Sequence, residues 1–122
     1  MADWTVGRKK TFITSVLRSG SRRWPPRNAV LNASKTVKKI NPKSGRMAQH
    51  YQCAECKNEF PAKEVAVDHK EPVVDPATGF VSWDVFISRL YCEEEGMQTL
   101  CHICHDKKSA EERIERKKRN ED

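Results

Sequence analysis

Acidic side chains are nearly missing from the first fifty residues, where Asp3 stands alone against twelve lysines and arginines. A stretch so one-sided cannot neutralise itself. It points to a polyanionic partner, nucleic acid first among them. Long apolar runs are missing too. With no stretch of about 18 apolar residues, a membrane-spanning helix is excluded. Met1 to Lys10 lacks the apolar core of a secretory signal. The chain is therefore expected in the cytoplasm, with no membrane partner. Apolar residues fill only 37% of 122 positions, and the mean hydropathy is −0.80. A large α/β enzyme with a deep cofactor cleft does not fit this length, and so thin a core is marginal unaided.

What is present is unevenly divided. The net charge is +6, yet residues 51–122 hold sixteen acids against eleven lysines and arginines. A basic, largely helical arm (1–45) thus precedes a mildly acidic domain (46–122). Phe12, Ile13, Val16 and Leu17 share one face of a helix predicted over 10–18. Val30, Leu31, Val37 and Ile40 are the sparse apolar positions of a second helix predicted over 27–40. Pro25-Pro26 stiffens the turn between them, and Asn41-Pro42-Lys43-Ser44-Gly45 reads as a linker. Arg22, Arg23, Trp24 and Arg27 interleave cations with an aromatic ring, the pattern of a nucleic-acid grip.

Five cysteines lie in the second part. Cys53-Ala-Glu-Cys56 and Cys101-His-Ile-Cys104 are two C-x-x-C pairs. In a reducing compartment such pairs read as zinc half-sites rather than disulfides. Together they make a closed four-cysteine site of the structural type, able to supply much of the folding energy. Cys92 has no such partner and reads as a small buried apolar residue. Between the pairs lie 44 residues, far more than the roughly 15–20 of an ordinary zinc module. The zinc therefore closes the base of something larger. Val65 and Val67 mark a strand ending at Asp68-His69. Ser82 caps a helix whose core face is Trp83, Phe86, Ile87 and Leu90. Met97 to Leu100 is a short strand, and a charged helix covers 106–119. The fold class is α+β.

Bringing the two pairs together also brings His105 toward the strand end that carries Asp68 and His69. A carboxylate and an imidazole suit a divalent ion that keeps water in its open positions, and a metal-free imidazole suits a general base. Asp68-His69 followed by Pro72-Val73, then Leu100-Cys101-His-Ile-Cys104-His105 and Lys108-Ser109, resembles the zinc-bearing HNH endonucleases of the ββα-metal fold. Within that family it resembles the small phage-encoded, homing-type members. The likeness covers roughly residues 50–112. It implies metal-dependent hydrolysis of phosphodiester bonds in double-stranded DNA, with nicking of one strand as one form of it. His69 would be the general base. Asp68 and His105 would hold a catalytic ion, Mg²⁺ first and Mn²⁺ next, and Lys108 would contact phosphate. A homodimer or a phage DNA-handling protein is the implied partner, and the host cytoplasm the implied location. Gly96 stands where the family has an asparagine that steadies the loop of the base. A second reading therefore stays open, a catalytically weak zinc-stabilised DNA-binding module or an accessory to a phage DNA-processing machine.

Overall fold

The computed structural model describes residues 3–121. Thr5 opens the first helix, α1 (Val6–Ser21), its hydroxyl accepting from the Arg8 N–H. Pro25 and Pro26 occupy the first turn of α2 (Pro25–Ala33), where a missing N–H costs nothing. The sequence pattern predicts that this second helix runs to residue 40. It stops at Ala33 instead, and Lys35–Ile40 is a strand, β1. Two local causes act together. Ser34 closes the helix by donating its hydroxyl to Leu31 O at 2.7 Å. The β-branched Thr36 and Val37 then prefer extended backbone. Gln52 N–H donates to Ser34 O at 2.9 Å and starts the sheet.

The expected linker is the turn of a hairpin. Asn41 Oδ1 accepts from Lys43 N–H, and Asn41 N–H donates to Arg46 O across the turn. Gly45 takes φ +72°, a conformation that disfavours side-chain-bearing residues. The hairpin continues into β2 (Met47–Gln52), and β3 (Glu59–Pro61) completes an antiparallel sheet in the order β1-β2-β3.

A second sheet pairs β4 (Val65–His69) with β5 (Met97–Cys101), again antiparallel, with Val67 opposite Thr99 and His69 opposite Met97. Between them runs α3 (Trp83–Leu90), and α4 (His102–Glu121) follows β5 directly. Both α2 and α4 pack on the β4–β5 pair. Ser82 caps α3 through the Val85 N–H, an interaction worth about 1 kcal/mol. Phe86 and Leu90 are buried with Val73, and Trp83 and Phe80 pack beside them. Burying a side chain such as Phe86 is worth about 1.5–3 kcal/mol. Ile87, expected in the core, is 43% exposed. The expected apolar face of α1 is likewise mostly exposed at Phe12, Ile13 and Val16, and only Leu17 reaches the core. Tyr91 donates its hydroxyl to Leu17 O and Trp24 its indole N–H to Cys92 O, both at 2.7 Å, so the first two helices are tied to the segment after α3. Among the described residues, no helix is long and apolar enough to cross a membrane.

Candidate functional site

The four paired cysteines converge. Cys53 and Cys56 lie in the β2–β3 turn, Cys101 ends β5 and Cys104 is in the first turn of α4. Lys57, at φ +65°, turns the first pair back on itself, and Ala54 N–H donates to Thr99 O at 2.8 Å, fastening that turn to β5. The four Sγ atoms lie within 4.8 Å of one another, and Cys56 Sγ is 4.0 Å from Cys101 Sγ. A tetrahedral zinc site with bonds of about 2.3 Å spaces its sulfurs at about 3.8 Å. The thiols themselves point the same way. Burial pushes Cys53 up, but main-chain hydrogen bonds from Cys101, Cys56 and Glu55 outweigh it and bring its pKa down to about 6. Cys104 is pushed up to about 12, first by its hydrogen bond with Cys101, then by burial and by Cys53 and Cys56. The two shifts run in opposite directions because the Cys53 and Cys104 thiols sit side by side in one cluster. The donor set therefore fits a structural metal such as zinc.

The strand end at Asp68-His69 lies on the same frame. Consecutive strand residues point to opposite faces, but β4 stops at His69, and a cavity of about 320 Å³ is lined by Asp68 and His69 together with Arg18, Lys108, Glu112 and Arg116. His69 Nε2 lies 2.9 Å from Leu90 O. A carbonyl can only accept, so Nε2 carries a proton, and Nδ1 makes no hydrogen bond to the protein among the described residues. The loop beyond it is held by Lys70 N–H donating to Gly96 O at 2.8 Å.

Asp68 is shared between two partners from α4. Its Oδ1 is 3.9 Å from His105 Nε2, and its Oδ2 is 2.9 Å from Lys108 Nζ. At 3.9 Å, Asp68 and His105 are near neighbours beyond hydrogen-bond distance. These two are a pair only. The four cysteines are the one group of three or more metal-ligating side chains among the described residues.

The expectation for Lys108 is a phosphate contact. Its ammonium is instead engaged inside the protein, donating to His69 O at 2.9 Å and Glu112 Oε1 at 2.8 Å besides pairing with Asp68. Burial pulls its pKa down, but the hydrogen bonds to Glu112 and Asp68 win and hold it above the usual lysine value. Arg22, Arg23, Trp24 and Arg27 come together along a groove of about 540 Å³ between α2 and β4. Arg27 Nη2 donates to Val67 O at 3.1 Å. Trp24 stands edge-on to Tyr91 with its N–H spent on Cys92, so it anchors α2 more than it offers a free ring. His50 is buried in β2, donating Nδ1–H to Ala48 O, and His102 is exposed.

Sequence reasoning missed Arg18 and Arg116, which face the cavity from α1 and α4. The Arg18 guanidinium lies over the Phe86 ring at 5.4 Å, a long-range approach that no local pattern announces. Gly96 also has a structural reason: a Cβ there would stand 2.8 Å from Cys92 Sγ and 3.2 Å from Cys92 Cβ. Cys92 is half-buried, not fully buried as expected, and burial raises its thiol pKa. Compared with protein-family models, curated proteins and solved structures, the chain matches none.

Proposed function

We propose that this protein is a metal-dependent endonuclease of the HNH type, hydrolysing phosphodiester bonds in double-stranded DNA. One observation carries the reading. A histidine whose Nε2–H is fixed on a carbonyl, leaving Nδ1 free, shares a cavity with a carboxylate whose other side faces an imidazole at 3.9 Å. Four clustered cysteines hold that frame.

In this reading His69 Nδ1 accepts the proton of the attacking water. Leu90 O keeps the ring in the required tautomer and orientation. Asp68 and His105 are the residues that would hold a divalent ion, Mg²⁺ before Mn²⁺. Such an ion supplies neutralisation of the charge that grows on the phosphate oxygens. Arg18 and Arg116 add two cations to the same cavity, suited to gripping a phosphodiester. The steadying role of the family's asparagine passes to one main-chain bond, Lys70 N–H on Gly96 O, and one side-chain bond, Lys108 Nζ on His69 O. A single module of this kind cuts one strand per event, so nicking is the expected product, and a homodimer or a phage DNA-handling partner would supply a second cut.

A second reading is favoured by one ion pair. Lys108 Nζ, 2.9 Å from Asp68 Oδ2, competes with a divalent ion for the same carboxylate. A zinc-stabilised DNA-binding module with weak catalysis would look like this. End-labelled duplex oligonucleotides separate the two. Cleavage to 5′-phosphate and 3′-hydroxyl ends that is lost in His69→Ala supports the endonuclease. Tight binding with no cleavage in any divalent ion supports the module.

A further inference from the structure

The hairpin of β1 and β2 is the part of the molecule that the proposed chemistry leaves without work. All six residues of β1 are exposed. The strand pairs with β2 on one side, and its other edge is open. Residues 35–49 hold five cations (Lys35, Lys38, Lys39, Lys43 and Arg46) and no acid. Lys39 and Lys43 reach Glu59 and Glu64 at 3.3 and 2.8 Å, across an exposed surface. Lys35, Lys38 and Arg46 have no carboxylate partner among the described residues.

The register places side chains of a second kind beside these charges. Lys38 stands opposite Gln49, and Ile40 opposite Met47. Because strand residues alternate, Lys38, Ile40, Met47 and Gln49 share one face of the ribbon. Ile40 is 60% and Met47 64% exposed. Paired apolar side chains left in water beside a row of cations mark an interaction surface.

The charge decides the kind of partner. A ribbon with cations and no acid complements the densest polyanion available, duplex DNA, with one negative charge per about 1.7 Å of axis. The same lysines work against another strand adding to the open edge, since charged edges resist strand pairing. The shape decides the groove. The major groove is about 12 Å wide and admits a two-stranded ribbon, and its base edges offer acceptors to a lysine and a thymine methyl to an apolar side chain.

We propose that the β1–β2 hairpin is a DNA-reading ribbon that enters the major groove. The face of Lys38, Ile40 and Met47 meets the base edges, while Lys35 and Arg46 bind flanking phosphates. The inference rests on the reading that this chain acts on double-stranded DNA, and it adds where on the protein the duplex is read.

The test uses the full zinc-loaded chain and a labelled duplex in buffer without added Mg²⁺. It compares wild type with Lys35→Ala/Arg46→Ala and with Lys38→Ala/Met47→Ala. Circular dichroism and zinc content check that each variant is folded. If Lys38→Ala/Met47→Ala fails that check, Lys38→Ala alone replaces it. The phosphate pair is expected to lower the slope of log K against log salt by about 2, since each cation that neutralises a phosphate adds roughly 0.9 to it. The wild type is expected to protect guanine N7 from dimethyl sulfate, and Lys38→Ala/Met47→Ala to lose that protection. Wild-type slopes and protection in both variants would overturn the ribbon, as would protection of adenine N3 alone. So would absence of duplex binding. Cleavage in Mg²⁺ is scored separately. A protein that cuts DNA while indifferent to the hairpin variants refutes the ribbon and keeps the nuclease. One that binds through the hairpin and never cuts does the reverse.

Discussion

Lys108 Nζ lies 2.9 Å from Asp68 Oδ2, and the two side chains are only 24% and 18% exposed. The lysine also donates to the carbonyl of His69 and to Glu112. One cation on α4 therefore holds both residues at the end of β4. All of these contacts lie within the protein.

Replacing Lys108 with Met is expected to lower stability by about 1–2 kcal/mol, because Asp68 and Glu112 lose their shared partner in a half-buried place. Thermal unfolding measures it. The salt slope of DNA binding separates the two roles for this lysine. A phosphate-binding role predicts a slope reduced by about 0.9 in Lys108→Met, whereas the internal role predicts an unchanged slope. Lys108→Arg should restore part of the lost stability, since it keeps the charge.

Metal removal gives the second expectation. The β2–β3 turn, the end of β5 and the start of α4 are joined by the cysteines, with few large buried side chains to replace them. Structural zinc in small domains contributes on the order of 10–16 kcal/mol of apparent binding free energy. A strong chelator should abolish the cooperative melt and lower the far-UV circular dichroism signal. Cys104→Ser should reduce bound zinc, measured by atomic absorption. A chelated protein that melts as before would show that the cysteine cluster is not a folding site.

Gly96 and Cys92 form one unit of packing. Gly96→Asn alone is expected to destabilise, since its Cβ would enter the space of the Cys92 side chain. The cost should be about 1–3 kcal/mol, the usual range for overpacking. Cys92→Ala/Gly96→Asn should recover much of that loss. A double mutant cycle in urea reads the coupling, and additive losses would contradict it.

The cavity arginines give the fourth expectation. Arg18→Ala and Arg116→Ala should each lower kcat/KM for cleavage about tenfold, equivalent to roughly 1.4 kcal/mol. Arg18 also covers the Phe86 ring, so the thermal midpoint of Arg18→Ala should fall as well, while that of Arg116→Ala should not. Wild-type cleavage by Arg116→Ala would remove that residue from the site.

Local chemistry made part of this legible. The C-x-x-C pairs announce a metal cluster because two cysteines at that spacing turn toward one point. Ser82 and the i, i+3, i+4, i+7 apolar pattern announce α3, and Val65 and Val67 announce β4. Strand β1 was not legible as such. Lys35–Ile40 carries apolar residues compatible with helical spacing; Ser34, Thr36 and Val37 favour ending the helix, but only the hydrogen bond from Gln52 to Ser34 and pairing with β2 make the segment a strand. The site divides in the same way. The nearness of His105 to Asp68 follows from the spacing of the cysteine pairs. Lys108 binds a carbonyl 39 residues distant, and Arg18 arrives from α1. No window of sequence contains both ends of such interactions.

The central claim is catalysis by His69, and relaxation of supercoiled plasmid at low salt addresses it most directly. Zinc-loaded wild type and His69→Ala are compared in Mg²⁺, in Mn²⁺ and without added divalent ion, with gel-shift binding measured in parallel. The account predicts nicked circles from the wild type only when a divalent ion is present, and none from His69→Ala although it still binds. Equal nicking by the two proteins, or intact plasmid with every ion despite salt-sensitive binding, would contradict it.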